Sequence, residues 1–175
     1  MDADDVRLVE PTEELRSEFL EMAEEWRAEG DVRYDDALKD FDAHLRAIRD
    51  ASRGLGLAPD RVPYTLFWLT AFGRVVGRSA IRHRLNALLE REGGHIGYDI
   101  RPSERRKGYG TLILRLTLER ARALGLTRVL VTCDTDNTAS ARIIEKNGGV
   151  FDSHAVSERT GKTISRYWIE IKDEG

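Results

Sequence analysis

The chain has little cysteine and little histidine, which limits the kinds of site it can build. Its single cysteine, Cys133, excludes an internal disulfide and any metal cluster built from cysteines. The four histidines (His44, His83, His95 and His154) lack the close spacing of metal ligands, so we expect no metal. Because Cys133 ends the apolar run 129–133, we interpret it as a buried strand residue; a nucleophile is the alternative.

The chain also lacks long apolar runs and a large excess of charge. No stretch approaches the ~20 apolar residues of a membrane span, and the amino end is acidic where a signal peptide is basic. A net charge of −3 argues against a surface built for nucleic acid. We therefore expect a cytoplasmic protein without a nucleic-acid or membrane partner. Its 175 residues suit one domain.

Hydrophobic periodicity predicts an α/β (α+β) protein with one mixed sheet. Apolar residues recur at helical spacing from Leu15 to Trp26 and from Leu38 to Ile48, whereas the interleaved glutamates indicate a solvated face. The predicted strands are 6–9, 64–72, 74–85, 93–100, 128–133, 150–155 and 163–171, and the later helices are 109–124 and 138–147. Strand 93–100, helix 109–124 and strand 128–133 form a β-α-β unit, which predicts a parallel pair.

The segment RRKGYG, residues 105–110, places three cations at the start of a long helix. Helix starts favour acceptors and negative charge, so these cations predict an anion from outside the chain, held by free N–H groups. Two familiar phosphate motifs fail, because GxGxxG would need glycine where Ile113 stands and GxxxxGK[ST] is absent. A helix-turn-helix fails as well, since its second helix would be the β-branched run RVLVTC.

What remains is R-x-x-G-x-G from Arg105 to Gly110, followed by a segment that starts at Asn137, continues through Ser140 and stops at Gly148. These two motifs, in this order, resemble the GNAT superfamily of N-acetyltransferases. The similarity runs from about residue 64 to 171 and is densest over 93–151; before it only the strand-helix-helix order matches. The resemblance implies one GNAT domain over 1–175, with acceptor-side elements in 1–63 and a sheet core in 64–172. Its strongly twisted sheet would have about seven strands, about four flanking helices and a splayed central parallel pair.

The resemblance implies acetyl-CoA as cosubstrate. Its pyrophosphate would bind the backbone N–H groups from Arg105 to Gly110, and a side chain at Gly108 or Gly110 would crowd that approach. Lys107 or Arg106 could reach the adenosine phosphate. The pantetheine arm would insert beside the splayed strand. The implied cofactor residues are Ile100, Arg101, Arg105, Arg106, Lys107, Gly108, Tyr109, Gly110, Thr111, Asn137 and Ser140. Asn137 also suits a helix cap, and both roles are compatible.

The family's catalytic residues carry over poorly. One common position of the general base is Gly94 here, so His95 becomes the best substitute, with Glu92 behind it. The alternative for His95 is packing or a hydrogen bond that fixes its tautomer. Where many relatives place a proton-donating tyrosine this chain has Ile144, and sequence alone assigns that role to neither Tyr98 nor Tyr109.

The acceptor is expected to be a small molecule or protein that carries an amine. In the family, acceptor choice comes largely from the first two helices and the last hairpin loop. Acidic residues there (Glu29, Asp31, Asp35, Asp36 and Glu158) favour a cationic amine. A homodimer stays open. Two alternatives also stay open: a non-catalytic acyl-CoA-binding module, and a transferase that uses another acyl donor.

Overall fold

The structure is a computed structural model that describes residues 5–172, and it contains one mixed sheet. The strands are β1 (Val6–Val9), β2 (Tyr64–Ala71), β3 (Arg74–Arg82), β4 (Ile96–Ile100), β5 (Arg128–Asp134), β6 (Val150–Val156) and β7 (Thr163–Glu170). Their order is β1-β2-β3-β4-β5-β7-β6, and β4 with β5 is the parallel pair. The predicted fold class and parallel pair are confirmed.

Six α-helices flank this sheet within the described residues: α1 (Arg16–Ala28), α2 (Asp35–Lys39), α3 (Phe41–Ser52), α4 (Ala87–Arg91), α5 (Tyr109–Ala123) and α6 (Thr138–Lys146). On one face α1–α3 bury Phe19, Phe41 and Leu45 against Trp68 of β2. On the other face α5 and α6 cover the second core, and we call these the α1–α3 face and the α5 face. None of the helices within 5–172 is long and apolar enough to cross a membrane.

The helices predicted from long apolar patterns are present, except that the one predicted from Leu38 to Ile48 is divided at Asp40, so that Leu38 lies in α2 and α3 begins at Phe41. The short helices α2 and α4 were not predicted as separate elements. Helix α2 and helix α4 have five residues each, too few to show a period. Asn86 caps α4, with its side chain accepting from the N–H of Leu89 at 2.9 Å. Strand β3 ends at Arg82 instead of at the predicted residue 85. Strand β4 starts at Ile96 instead of at 93, because Gly93 and Gly94 have positive φ.

Strands β4 and β5 separate after a very short contact. Their only registered pair within 5–172 is Ile96 with Val131, preceded by a bond from His95 N–H to the Leu130 carbonyl at 2.7 Å. The N–H of Arg101 donates to Val76 of β3, and backbone groups alternate sides along a strand. The N–H and C=O groups of Tyr98 and Ile100 therefore point to the β5 side, into the opening between the two strands.

Candidate active site

The turn before α5 exposes a row of unpaired donors. None of the backbone N–H groups from Arg106 to Thr111 has an acceptor within residues 5–172; the first helical bond runs from Leu112 to the Gly108 carbonyl. Gly108 is the N-cap with φ 88°, and it has no side chain to cap the helix. The first turn also contains no acidic residue. The turn therefore offers an anion free N–H groups at the positive end of the helix dipole.

Only one of the three cations at this turn is unpaired. Arg105 forms a double hydrogen bond to Glu29 of the α1–α2 connection at 2.9 and 3.0 Å, and its guanidinium lies over Trp26. Lys107 bonds to the buried Glu104 at 2.8 Å. Arg106, exposed and with φ 64°, has no ion-pair partner within residues 5–172. It is the cation best placed to meet an anion at the turn.

The two glycines of the turn serve different purposes. Gly108 has a left-handed φ, and a Cβ there would meet no atom within 4 Å, so backbone conformation is its structural requirement. Gly110 has little room: a Cβ would lie 2.6 Å from Cδ1 of Ile143 in α6. This close contact brings α5 and α6 together. The Asn147 side chain, just after α6, also links the two helices by donating to the Thr111 carbonyl at 3.2 Å. Tyr109 is buried in the core beside this contact.

Arg101 lies where the cofactor arm was expected, but its polar groups are already bound. Its N–H donates to the Val76 carbonyl at 2.8 Å, and its carbonyl accepts from Glu104. Its guanidinium is 3% exposed and lies among three carboxylates of α1: Glu18, Glu21 and Glu25. The backbone groups of Arg101 are therefore already bonded, whereas those of Ile100 and Tyr98 point to the β5 side. The glutamate face of α1, expected to be solvated, supplies this cluster.

A hydroxyl pair lies at the mouth of the opening between β4 and β5. The Tyr98 hydroxyl is 2.8 Å from Oγ of Ser140, in the first turn of α6. Asn137 caps that helix, with its side chain accepting from the Ser140 N–H at 3.1 Å. Burial raises the pKa of Tyr98 to about 12, against an opposing effect of the Ser140 bond. The neighbouring Cys133 is buried, and burial raises the pKa of its thiol. A neutral phenol and a hydroxyl are thus available at this point.

The imidazole ring of His95 forms a hydrogen bond to the backbone of β5. Its Nδ1 accepts the backbone N–H of Leu130 at 2.9 Å, so the neutral ring carries its proton on Nε2. The side chain is 7% exposed, and burial, with the charges of Arg82 and Arg128, lowers its pKa. With its lone pair already engaged, His95 has no free acceptor for a substrate proton. The geometry matches the alternative role, a tautomer-fixing hydrogen bond.

Glu92 is also engaged. Its carboxylate accepts from the Ser157 hydroxyl in a short contact and from the Glu158 N–H at 3.0 Å. The Ser157 bond lowers the pKa of Glu92 most. The backbone N–H groups of Glu158 and Arg159 and the charge of Arg159 lower it further, against the opposing effect of burial. A carboxylate that is stabilised as the anion is a weak base. Glu92 therefore fixes the β6–β7 connection to the end of α4.

The acidic residues expected to attract a cationic amine each have a basic partner. The pairs are Glu29 with Arg105, Asp31 with Arg33, Asp35 with Arg27, Asp36 with His44 and Glu158 with Arg91. They form no open acidic surface, which removes the argument for a cationic acceptor. No group of three potential metal ligands occurs within the described part of the chain.

Sequence reasoning missed a polar cluster on the α1–α3 face of β4. Asp99 accepts from the Tyr34 hydroxyl at 2.8 and 2.9 Å and pairs with Arg33 at 3.4 Å and Arg78 at 3.5 Å. The period-2 alternation of a strand could have indicated that Tyr98 and Asp99 lie on opposite faces. Nothing in the sequence indicated that two partners of Asp99, Tyr34 and Arg33, lie 65 and 66 residues away.

The comparisons with known proteins agree with this architecture. A family model described as "Acetyltransferase (GNAT) domain" matches residues 5–150. No curated protein sequence matches the chain significantly. One similar solved structure is a Salmonella typhimurium acetyl transferase that modifies the N-terminal serine of ribosomal protein L7/L12; the identity is 13%, 97% of each chain is covered and the TM-score is 0.71.

Two other solved structures contain a form of the cofactor. Mycobacterium smegmatis RimJ in complex with CoA-disulfide is 17% identical, covering 94% of this chain and 81% of that one, with a TM-score of 0.73. The putative acetyltransferase yncA from Salmonella typhimurium, with acetyl-CoA, is 16% identical, covering 98% and 96%, with a TM-score of 0.62. At these identities the likeness is one of fold.

Proposed function

Because the chain belongs to the GNAT acetyltransferase family, we propose that it transfers the acetyl group of acetyl-CoA to a primary amine in a ternary complex. The observation that carries the proposal is the turn before α5, where the N–H groups from Arg106 to Thr111 are unpaired beside an unpaired arginine. The solved structures that hold acetyl-CoA or CoA on the same fold support acetyl-CoA as the ligand.

The cofactor would bind along the opening between β4 and β5. Its pyrophosphate meets the free N–H groups of the α5 turn, with Arg106 supplying charge. Its pantetheine arm takes the backbone groups of Ile100 and Tyr98 that β5 leaves unpaired. The thioester then lies near Ile96 and Val131, where β4 and β5 are still paired, and beside the hydroxyls of Tyr98 and Ser140. Acetyl-CoA supplies the activated acyl carbon, and the chain supplies binding and orientation.

The transfer forms a C–N bond and breaks the C–S bond. The neutral amine attacks the thioester carbon, CoA leaves as a thiolate, and the nitrogen loses its second proton to water. Since His95 and Glu92 are both engaged elsewhere, we assign them no proton transfer and give deprotonation of the amine to solvent. The Ser140 hydroxyl, backed by the neutral phenol of Tyr98, donates to the departing sulfur.

The test is acetyl-CoA binding by the Arg106→Glu variant. Replacing the unpaired cation by an anion beside the phosphates should weaken binding at least about tenfold, because a charge-assisted contact becomes a repulsion. Isothermal titration measures the affinity, and Arg46→Glu, an exposed arginine on α3, is the matched control. Release of CoA thiol during incubation with amine panels then separates an enzyme from a non-catalytic module. Unchanged affinity in Arg106→Glu would contradict the assigned site.

The same assays distinguish the other acyl donors. Propionyl-, succinyl- and longer acyl-CoA are compared with acetyl-CoA at equal concentration, with thiol release as the readout. We expect acetyl-CoA to give the highest kcat/KM. Preference for a longer acyl-CoA would be compatible with the assigned CoA site, but the transferred group would then be that longer acyl group instead of acetyl.

A further inference from the structure

An open cleft of about 660 Å³ lies beside the start of β4, away from the α5 turn. Its walls come from the connection before β2, the end of β3, helix α4 and the β6–β7 connection. A cleft of this volume suits a small molecule rather than a folded partner. Its walls include three arginines, Arg61, Arg82 and Arg159, and these decide the chemistry of what it binds.

Arg82 is a partly buried cation without a counter-ion. Its Nη1 donates to the carbonyls of Gly93 and Gly94 at 3.0 and 2.9 Å, which fixes the guanidinium plane. No carboxylate of residues 5–172 lies within 4 Å of it, and its Nε and Nη2 have no hydrogen-bond partner there. Burial, then the charges of Arg78 and Arg61, lowers the pKa of Arg82. The other edge of its guanidinium is thus an oriented, unused pair of donors.

The acidic residues of the cleft form no direct ion pair with these arginines, although the charge of Arg159 contributes to lowering the pKa of Glu92. Glu92 is held by Ser157 and the Glu158 N–H, and the Glu158 carboxylate pairs with Arg91 at 2.9 Å. Asp60 also lines the cleft and forms no ion pair within the described chain. Like Arg82, Arg61 and Arg159 have no carboxylate within 4 Å among the described residues. Arg82 thus faces the cleft without a direct carboxylate partner among the described residues, and Arg61 and Arg159 line the same cleft.

The cleft lies close to the place where the thioester is expected. Arg82 pairs in register with Tyr64, and its N–H donates to the His95 carbonyl at 2.7 Å, so these three residues form one row across the sheet. Gly97, two residues beyond His95, lies on the same face, roughly 7 Å further along the strand. A Cβ on Gly97 would meet no atom within 4 Å, so space is open above it. The Arg82 guanidinium lies beside the Gly93 and Gly94 carbonyls, so a ligand bound to it would extend along this face towards Gly97.

We propose that the acceptor is a small amine that also carries a carboxylate, an amino acid whose carboxylate binds Arg82, with Arg61 and Arg159 at the rim. The donors of Nε and Nη2 suit the two oxygens of a carboxylate. The amine then lies above Gly97, next to the opening between β4 and β5. This substrate class rests on the proposed function. The products are the N-acetyl amino acid and CoA, with one proton released to water.

The first experiment compares each proteinogenic amino acid with its primary amide as acceptor. The amide keeps the size and the amine but removes the negative charge. We expect at least one amino acid to exceed its amide about tenfold or more in kcat/KM. Arg61→Ala and Arg159→Ala should raise KM about fivefold for that acid and leave its amide unchanged, whereas Arg49→Ala, exposed on α3, should change neither. Amides or diamines preferred over all amino acids would overturn the proposal.

A binding experiment separates this proposal from the proposed function. The ¹⁵Nε resonance of Arg82, assigned by its loss in Arg82→Lys, is followed while N-acetyl amino acids and N-acetyl amino amides are added to the CoA complex. We expect shifts with the acids alone. Shifts without any acetyl transfer would refute the proposed acetyltransferase activity and support the carboxylate site. Acetyl transfer to amines without a shift from any acid would support the acetyltransferase activity and refute the carboxylate site at Arg82.

Discussion

At the scale of single residues, His95 shows how a titratable side chain near a site can be structural. Its Nδ1 accepts the Leu130 N–H just before Ile96 and Val131, the single registered pair of β4 and β5 within 5–172. Ala at this position would leave that N–H buried without a partner, at a cost of about 1–3 kcal/mol. Asn can place its side-chain oxygen near the position of Nδ1. The stability of the parallel pair therefore depends on an acceptor, not on a proton carrier.

The pH dependence of stability tests this role. The pKa of His95 is lowered in the folded state, so the unfolded chain binds more protons below its ordinary value of ~6.5. Stability should therefore fall as pH drops from 7.5 to 5.5, and His95→Asn should lose less over that range. His83, whose pKa burial also lowers, contributes to both proteins and cancels in the difference. Urea unfolding at several pH values measures it, with the exposed His154→Asn as control. An alkaline rise in kcat/KM that disappears in His95→Asn would instead make His95 the base.

At the scale of elements, the bond between Tyr98 of β4 and Ser140 of α6 joins the two sides of the opening. Because burial raises the pKa of Tyr98 to about 12, the phenol stays protonated throughout the neutral range. Tyr98→Phe and Ser140→Ala should each lower kcat about tenfold or more, with acetyl-CoA affinity changed less than threefold. The exposed Thr138→Ala on the same helix should have no effect. Stopped-flow thiol release gives kcat; unchanged kcat in both variants would leave the thiolate to depart unaided.

Sequence predicted the elements whose signal is local. The periodic apolar faces of α1, α3 and α5 and the R-x-x-G-x-G turn need only neighbours in the chain. The start of β4 could not be placed, because the residue pattern of 93–100 does not reveal the positive φ of Gly93 and Gly94. Cation pairing was equally hidden: Arg105 meets Glu29 across 76 residues. The turn before α5 was thus predictable, and its charge balance was not.

At the scale of the whole molecule, helix α1 is bound directly to the segment that precedes α5. Arg101, just after β4, lies among the carboxylates of Glu18, Glu21 and Glu25 on α1, and Glu25 also accepts from the N–H and hydroxyl of Ser103. Two residues later Arg105 holds the end of α1 through Glu29. Ion pairs therefore join α1 to both ends of the segment that leads from β4 to the turn before α5.

Removing this attachment should affect stability and cofactor binding together. Arg101→Met keeps the apolar stem but leaves three carboxylates near one another, which should cost about 2 kcal/mol, less than a fully buried pair because two of them are 27% exposed and one 60%. Because the turn that follows loses its anchor, acetyl-CoA should also bind several-fold more weakly, although Arg101 does not contact the phosphates. Arg27→Met on α1 removes two exposed ion pairs, with Glu24 and Asp35, and should cost under about 1 kcal/mol with unchanged affinity. Thermal unfolding with and without acetyl-CoA gives both quantities. A destabilised Arg101→Met that binds acetyl-CoA normally would show that the turn holds its shape without α1.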